Sequence, residues 1–138
     1  YAVLPVIEED YSELPEGLPR ICGYEAKWDT ESEYFRSVKS IPADLPQATV
    51  DFLNASCSRL FQRVGCQDYA RFDWRLDANS TPRLLEVNPN PGWCWDGHLA
   101  RMSELAGLSY ADMLRDILNA CDERLRAAVR GTAAQRAA

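Results

Sequence analysis

The fold of this chain is decided by two stretches that lie close together in the sequence, Arg71–Arg75 (RFDWR) and Leu84–Gly92 (LLEVNPNPG). From Tyr69 to Leu76, every even-numbered residue is apolar and most odd-numbered residues are charged. A period of two is typical of a β-strand with one face in a core and the other face exposed or functional. The first stretch is therefore predicted to be a strand with a charged face.

The second stretch alternates in the same way over Leu84–Asn88. Leu85 and Val87 fall on one face of the predicted strand, and the even-numbered positions, Leu84 included, fall on the other. Between the two strands lies Asp77–Pro82 (DANSTP), a run of residues that favour turns. The two stretches are therefore predicted to form an antiparallel hairpin.

The register of this predicted hairpin brings two carboxylates together. If Leu76 pairs with Arg83, then Asp73 lies opposite Glu86. Side chains directly opposite one another are about 5 Å apart, and like charges so placed are destabilising. Two such carboxylates either share a proton or share a cation.

The same register places Arg71 opposite Asn88, so a neutral amide oxygen lies just beyond Glu86. Carboxylate and amide oxygens suit a hard ion, Mg²⁺ or Mn²⁺, better than zinc. The predicted metal ligands are therefore Asp73, Glu86 and Asn88. The alternative is an ordinary surface hairpin whose acidic side chains are separately solvated or paired with Arg71 and Arg75.

Three segments, in order along the chain, resemble the C-terminal half of an ATP-grasp ligase: Tyr24–Trp28 (YEAKW), Gly65–Asp73 (GCQDYARFD) and Leu85–Gly92 (LEVNPNPG). The resemblance runs from about Leu4 to about Leu125, and the D-alanine–D-alanine ligases are the most similar branch. It implies an α+β fold, with a largely antiparallel sheet backed by helices. It also implies that ATP is the cofactor and that an amide or peptide bond is formed through an acyl-phosphate.

The resemblance further implies roles for individual residues. Asp73 would bind one magnesium ion, Glu86 would bridge two ions that hold the nucleotide, and Asn88 would complete the second ion's shell. Lys27 would contact the transferred phosphate of ATP. If the resemblance is set aside, Lys27 is a solvated strand lysine.

Two further groups would act on the developing negative charge. Arg71 would stabilise the acyl-phosphate and the tetrahedral intermediate, and the backbone N–H of Gly92 would help it to hold the oxyanion. Phosphoryl transfer depends on positioning and charge neutralisation more than on covalent chemistry by the protein. The alternative for Gly92 is a residue that simply closes a turn.

The chain departs from the D-alanine ligases at positions that would face the substrate. Trp28 stands where those enzymes usually have a tyrosine, and Trp93–His98 (WCWDGH) replaces a short polar stretch. Asp96 would pair with a substrate ammonium, and His98 would bind a carboxylate or act as a base. The alternatives are a turn at Asp96 and a cap on a helix beginning near Leu99. D-alanine is therefore not implied as the acceptor.

The chain has 138 residues, which is enough for one core. Ligases of this kind are longer, and their N-terminal substrate domain and central lid have no counterpart here. We expect an ATP-grasp C-terminal region at residues 1–130 and a flexible tail at residues 131–138. The expected partners are the missing N-terminal part of the enzyme and small-molecule carboxylate and amine substrates. We do not expect the isolated piece to complete a catalytic cycle.

Composition excludes several classes of protein. The net charge of −6 argues against a nucleic-acid partner, because binding nucleic acid needs a basic patch. The five cysteines are scattered without a Cys-x-x-Cys pair, so neither zinc nor a disulfide framework is indicated. We expect no signal peptide, and the sequence has no apolar run long enough to span a membrane. We expect a cytoplasmic protein without a membrane partner.

The first half of the chain is predicted to contain two strands, Tyr1–Ile7 and Ile21–Trp28, followed by a loop over Asp29–Ala43. A helix is predicted from Pro46 to Val64, with Gly65 ending it. The apolar stripe of this helix is Thr49, Phe52, Leu53, Leu60, Phe61 and Val64.

Two more helices are predicted near the C-terminus. One spans Leu99–Ala106 and stops at Gly107, and the other opens at Ser109 with Asp112 as a capping box. The predicted buried face of the last helix is Met113, Leu114, Ile117, Leu118, Cys121 and Leu125.

Three functions remain open at the level of sequence. The first is the metal-binding half of an ATP-dependent carboxylate–amine ligase. The second is a non-catalytic binding module that keeps the ATP-grasp fold. The third is a magnesium-dependent phosphohydrolase unrelated to ligation.

Overall fold

The computed structural model describes residues 1–136, and the chain divides into two compact units. One unit is Pro5–Asp44, and the other joins Tyr1–Leu4 to the chain from Leu45 onward. The strands form two antiparallel pairs, so the predicted α+β class is confirmed, with two small sheets in place of one. The elements are β1 (Ile7–Asp10), α1 (Tyr24–Trp28), α2 (Glu33–Ser37), β2 (Lys39–Pro42), α3 (Gln47–Arg63), β3 (Arg71–Leu76), β4 (Pro82–Asn88), α4 (His98–Leu105) and α5 (Tyr110–Arg136).

In the Pro5–Asp44 unit, β1 and β2 pair complementary side chains. Asp10 lies opposite Lys39, and Glu9 lies opposite Ser40. The Ser40 hydroxyl is 3.0 Å from each carboxylate oxygen of Glu9, and Lys39 Nζ is 2.5 Å from Glu13 Oε2. Facing side chains of opposite charge, or that hydrogen-bond to one another, stabilise an antiparallel pair of strands. The facing side chains of β1 and β2 therefore stabilise this hairpin.

The sequence-based assignments in this unit are largely wrong. The predicted strand Ile21–Trp28 contains helix α1 instead, because Glu, Ala and Lys are good helix formers. The predicted strand Tyr1–Ile7 is wrong as well, since β1 begins at its last residue. The predicted loop 29–43 contains β2 and α2, and the hydroxyl oxygen of Ser32 caps α2 by accepting the N–H of Phe35 at 3.1 Å.

Helix α3 lies where the sequence predicts it. Pro46 stands just before its first residue, and Gly65 follows its end with a φ of 72°, a left-handed conformation that glycine adopts without strain. Its predicted apolar stripe is less buried than expected. Leu53 is buried, whereas Phe52 is 49% exposed even though its ring meets the edge of Trp74.

Asp77 organises the turn between β3 and β4. Its carboxylate accepts the backbone N–H groups of Asn79 and Thr81 at 2.9 and 3.0 Å, and Nε of Arg83 at 2.9 Å. These bonds, with the Thr81 bond as the largest cause, hold the pKa of the Asp77 carboxyl below its ordinary value of 3.8. The turn is thus stabilised by an ionised side chain.

The core of the larger unit forms where α4 packs against α5. Its buried residues are Leu99, Ala100, Met113 and Ile117, with Leu4, Tyr69 and Leu114 packed around them. Burying a leucine, isoleucine or methionine side chain contributes about 1.5–3 kcal/mol. The predicted buried face of α5 is therefore right for Met113 and Ile117. It is wrong for Leu118, which is 61% exposed, and for the exposed Leu125.

Side-chain hydrogen bonds fix α5 at its start and along its length. The backbone N–H of Asp112 donates to the Ser109 hydroxyl at 3.1 Å, and that of Ser109 donates to the Asp112 carboxylate at 3.0 Å, which confirms the capping box. Arg124 makes two hydrogen bonds to Asp68, at 2.8 and 2.7 Å. The second pair ties α5 to the loop that leads into β3.

Helix α5 continues through Arg136. The predicted flexible tail, residues 131–138, ends outside the described residues, and its flexibility stays a prediction. Among the described residues, no helix combines the length and the apolar composition that crossing a lipid bilayer requires.

Candidate functional site

The end of the β3–β4 hairpin that is remote from its turn carries the predicted site. Asp73 lies opposite Glu86, and Arg71 lies opposite Asn88. Both pairings were predicted and both are confirmed. Residues opposite one another on an antiparallel pair share a face, so the ladder gathers four polar side chains on one face.

The register nearer the turn differs from the prediction. Leu76 does not pair with Arg83, because the ladder shifts by one residue at Leu85, which has no partner. Leu84 therefore lies opposite Trp74, on the apolar face of β3, and not on the face of the carboxylates. Such a bulge bends a strand and increases its local twist, and bulges are frequent beside active sites.

Arg71 and Asp73 form a bidentate ion pair. Arg71 Nε is 2.7 Å from Asp73 Oδ1, and Nη2 is 2.9 Å from Oδ2. The side chains are 18% and 31% exposed, so the pair is partly shielded from water. Two parallel charge-assisted bonds fix the plane of the guanidinium group and place a positive charge against the carboxylate.

Glu86 and Asn88 contribute the remaining oxygens. The Glu86 side chain is exposed and makes no hydrogen bond or ion pair with the described residues. The Asn88 side-chain oxygen accepts the backbone N–H of Asn90 at 3.0 Å, which leaves it a second lone pair. Among the described residues, no three His, Cys, Asp or Glu side chains cluster, as expected for a set of two carboxylates and one amide. This donor set fits Mg²⁺ or Mn²⁺.

Gly92 lies in the loop that follows β4. Its backbone N–H has no partner among the described residues. A methyl group in place of its hydrogen would meet the sulfur of Cys94 at an ordinary 3.8 Å. The backbone amide of Gly92 is therefore available as a donor, and space alone does not require glycine at this position.

His98 lies beside the ion pair, and Asp96 lies in the loop before it. His98 is the first residue of α4 and its Nδ1 is 3.4 Å from Arg71 Nη1, so its ring faces the site and does not cap the helix. Asp96 is exposed, and its backbone carbonyl accepts Nε of Arg101 at 3.2 Å. Asp96 and Arg101 help to line an open groove between the loop and the start of α5, beside the exposed indole of Trp95.

Lys27 and Trp28 belong to the Pro5–Asp44 unit. Both lie on α1, where their side chains are exposed. The helix thus offers one cation and one indole to solvent within that unit.

Four residues hold the loop after β4, namely Tyr69, Asn90, Trp93 and Tyr110. Of these, only Trp93 was assigned from the sequence, as part of the substrate-facing stretch Trp93–His98. The side chains of Tyr69, Asn90 and Trp93 are joined by hydrogen bonds, and Tyr110 donates to the Trp93 carbonyl at 2.7 Å. Two features of the sequence could have pointed to this cluster. Asn90 is a polar residue between two prolines, and aromatic residues lie just before β3 and just after β4.

Comparison with known proteins identifies the family. Residues 4–119 match the family model described as the D-ala D-ala ligase C-terminus. The chain belongs to this family. The match contains the hairpin, the loop after it and the segment that carries Lys27, so the site residues lie within the family region.

Similar proteins are D-alanine–D-alanine ligases of several bacteria. That of Bordetella avium is 30% identical over 129 residues, which is 92% of this chain and 37% of the relative. That of Cupriavidus taiwanensis is 31% identical over 120 residues, covering 84% and 36%. That of Bordetella petrii is 33% identical over 97 residues, covering 70% and 28%. The chain thus spans about a third of the length of these curated relatives.

Proposed function

We propose that this chain supplies the metal- and phosphate-binding part of an ATP-dependent carboxylate–amine ligase. The observation that carries the proposal is the cross-strand pair of Asp73 and Glu86, next to the pair of Arg71 and Asn88, inside a region that matches the ligase family. Like charges face one another there without a folding benefit, which is understandable if a cation binds between them.

Asp73, Glu86 and Asn88 would hold Mg²⁺ or Mn²⁺ with the phosphates of ATP, Glu86 bridging two ions. The bound ions would neutralise phosphate charge. Asp73 can serve while paired with Arg71, because the guanidinium uses one lone pair on each carboxylate oxygen and leaves others available. Glu86 is exposed, so its carboxylate could bind an ion without first breaking a contact with the protein.

The chemistry that we propose has two steps. The γ-phosphoryl group of ATP passes to the carboxylate substrate and gives an acyl-phosphate and ADP, with Lys27 contacting the transferred group. The amine then attacks the acyl carbon, phosphate leaves, and the nitrogen loses a proton to give the amide. Arg71 and the backbone N–H of Gly92 would stabilise the negative oxygen of the tetrahedral intermediate.

The substrates would be a small carboxylate and a small amine. Trp28, Asp96 and His98 are the proposed substrate contacts. His98 reaches the same guanidinium that would hold the oxyanion, and the exposed carboxylate of Asp96 suits an ammonium group. The remaining part of a longer enzyme would supply the other substrate contacts, and the use of ATP favours the cytoplasm as the location.

The test is a melting experiment on the full-length protein with Mg²⁺ and ADP. A ligand at a hundred times its Kd stabilises the folded form by about 2.7 kcal/mol, so the Tm should rise by several degrees. Glu86→Gln should abolish most of the rise, while Glu123→Gln, which removes an exposed carboxylate from α5, should retain it. A metal-dependent rise that survives in Glu86→Gln would falsify the assignment of Glu86.

Release of phosphate from ATP separates ligation from the other two functions. In a ligase, release rises with a carboxylate and a suitable amine, and amide appears in equal amount. Release that no amine changes would indicate a phosphohydrolase. Binding of ADP without any turnover would indicate a non-catalytic module.

A further inference from the structure

The loop that leaves β4 is held by a tyrosine hydroxyl that serves as both donor and acceptor. Tyr69 Oη donates to the side-chain oxygen of Asn90 at 2.5 Å. Nε1 of Trp93 donates to the same hydroxyl oxygen. One O–H group therefore joins two positions of the loop that are three residues apart.

Tyr69 is itself anchored. Its ring packs against the core formed by α4 and α5, and it meets the ring of Trp93 at an interplanar angle of 69° with 5.6 Å between centroids. An edge-to-face pair at this distance is favourable for aromatic rings. Tyr110 adds a second attachment by donating to the backbone carbonyl of Trp93 at 2.7 Å. The Tyr69 hydroxyl is therefore held in place by the core, and its hydrogen bonds to Asn90 and Trp93 fix the position of the loop.

Asn90 connects the Tyr69 hydroxyl to the candidate metal site. While its side-chain oxygen accepts from Tyr69, its backbone N–H donates to the side-chain oxygen of Asn88 at 3.0 Å. That bond orients Asn88, because an oxygen, and not the amide nitrogen, must face an N–H donor. Pro89 has a fixed φ and Pro91 restricts the backbone of Asn90, so few backbone conformations are open to Asn90 while its side chain is held by Tyr69.

We propose that Tyr69 is a positioning residue for the metal site, acting through Asn90 to hold the Asn88 oxygen toward the cation. The inference rests on the proposed function, because it takes Asn88 as a ligand. Partners that orient a ligand from outside the coordination sphere typically change metal affinity 10–100-fold when they are removed. Because Asn90 and Trp93 are partly solvated, the expected effect lies at the lower end of this range.

The experiment measures binding of Mn²⁺ to the full-length protein by electron paramagnetic resonance of the free ion. Tyr69→Phe keeps the ring and deletes the hydroxyl, and we expect it to raise the Kd for Mn²⁺ about tenfold. Tyr1→Phe removes an exposed hydroxyl from the same unit and should leave the Kd within about twofold of wild type. Trp93→Phe, which keeps an aromatic ring but removes Nε1, should weaken binding in the same direction and serves if Tyr69→Phe does not fold.

A double-mutant cycle distinguishes positioning from general stability. In an Asn88→Ala background, Tyr69→Phe should have no further effect on the Kd for Mn²⁺, because the oxygen that it orients is gone. A tenfold effect that persists in that background would overturn the proposal, as would wild-type affinity in both Tyr69→Phe and Trp93→Phe. Absence of Mn²⁺ binding to the wild-type protein would instead remove the proposed metal site itself, and with it this inference.

Discussion

The two hairpins of the chain pair their charged side chains in opposite ways. In β1–β2, Asp10 faces Lys39 and Glu9 receives the hydroxyl of Ser40. In β3–β4, Asp73 faces Glu86, and farther along the same ladder one arginine faces another. Cross-strand pairs of opposite charge stabilise a sheet and like pairs destabilise it, by about 0.2–1 kcal/mol each.

The difference distinguishes a hairpin whose facing side chains favour folding from one in which a facing pair does not. The one pair of charged residues in the β1–β2 ladder, Asp10 and Lys39, favours the fold, so no ligand is needed to explain it. In β3–β4 the cost of the arginine pair is offset because Arg83 is also bonded to Asp77 in the turn. The carboxylate pair is compensated on one side only, by Arg71, and Glu86 is left to solvent. Residues retained at a cost to stability are characteristic of functional sites.

The largest effect is expected from Arg71. Arg71→Met leaves two facing carboxylates without their cation and removes a group proposed to hold the oxyanion. We expect amide formation to fall roughly 10²–10³-fold, the usual loss for one such donor. The measurement is the rate of ADP and amide formation by the full-length protein at saturating ATP.

Arg75→Met is the matched control. It removes an arginine from the same strand, where it faces Arg83. We expect activity within about twofold of wild type, because Arg75 is not one of the proposed site residues. Equal losses of activity in Arg71→Met and Arg75→Met would show that the charge of the strand, not the position of Arg71, matters.

A smaller effect, of unusual sign, is expected from Glu86 in protein freed of metal ions. Glu86→Gln should raise the free energy of unfolding by roughly 0.2–1 kcal/mol, because it removes a carboxylate that faces Asp73. Urea denaturation in the presence of a chelator measures it.

Glu9→Gln, in the β1–β2 hairpin, should have the opposite effect on the free energy of unfolding. It loses a charged acceptor of the Ser40 hydroxyl and should lower the free energy of unfolding. Destabilisation in both variants would contradict the contrast between the hairpins.

The smallest effect concerns pH. The folded-state pKa of Asp77 lies below 3.8, so its contribution to stability is present above about pH 3.8 and is lost as the pH falls through the folded-state pKa. Asp77→Asn should therefore lower stability near neutral pH, and the difference from wild type should shrink as the pH falls below 3.8.

Urea denaturation over a pH series measures that difference. Asp44→Asn, which removes one exposed carboxylate from the other unit, controls for the change in net charge. If the difference between Asp77→Asn and wild type is the same at all pH values, the ionised turn does not contribute as described.

The facing pairs of the candidate site could be predicted from the sequence because their register is local. Alternation in Arg71–Leu76 identifies one face, and six turn-forming residues limit the pairing to a narrow range. Asp73 opposite Glu86 follows from that count. The pairing of Leu76 was missed because the period of two was extended through the adjacent apolar residues Leu84 and Leu85, where the bulge breaks it.

The Pro5–Asp44 unit shows what such counting misses. Strand β2 has only four residues, and its partner β1 lies some thirty residues earlier in the chain. A short-range sequence pattern therefore cannot predict that these two strands pair. The apolar start of the chain favoured a strand over Tyr1–Ile7, but the ladder forms where Glu9 and Asp10 find polar partners. The helix at Lys27 was missed even though Glu, Ala and Lys are good helix formers.

Because of the bulge at Leu85, the number of residues in β4 can change without changing which residues of β3 they face. Because Leu85 faces nothing in the ladder, a strand without it would still place Leu84 against Trp74 and Glu86 against Asp73. Loss of one residue at this point would leave every partnership intact and would change only the local bend. Related chains that lack a residue at the position of Leu85 would keep the same facing pairs. The direction of the Glu86 carboxylate would then differ between a chain that has this residue and one that lacks it, even where their other residues are identical.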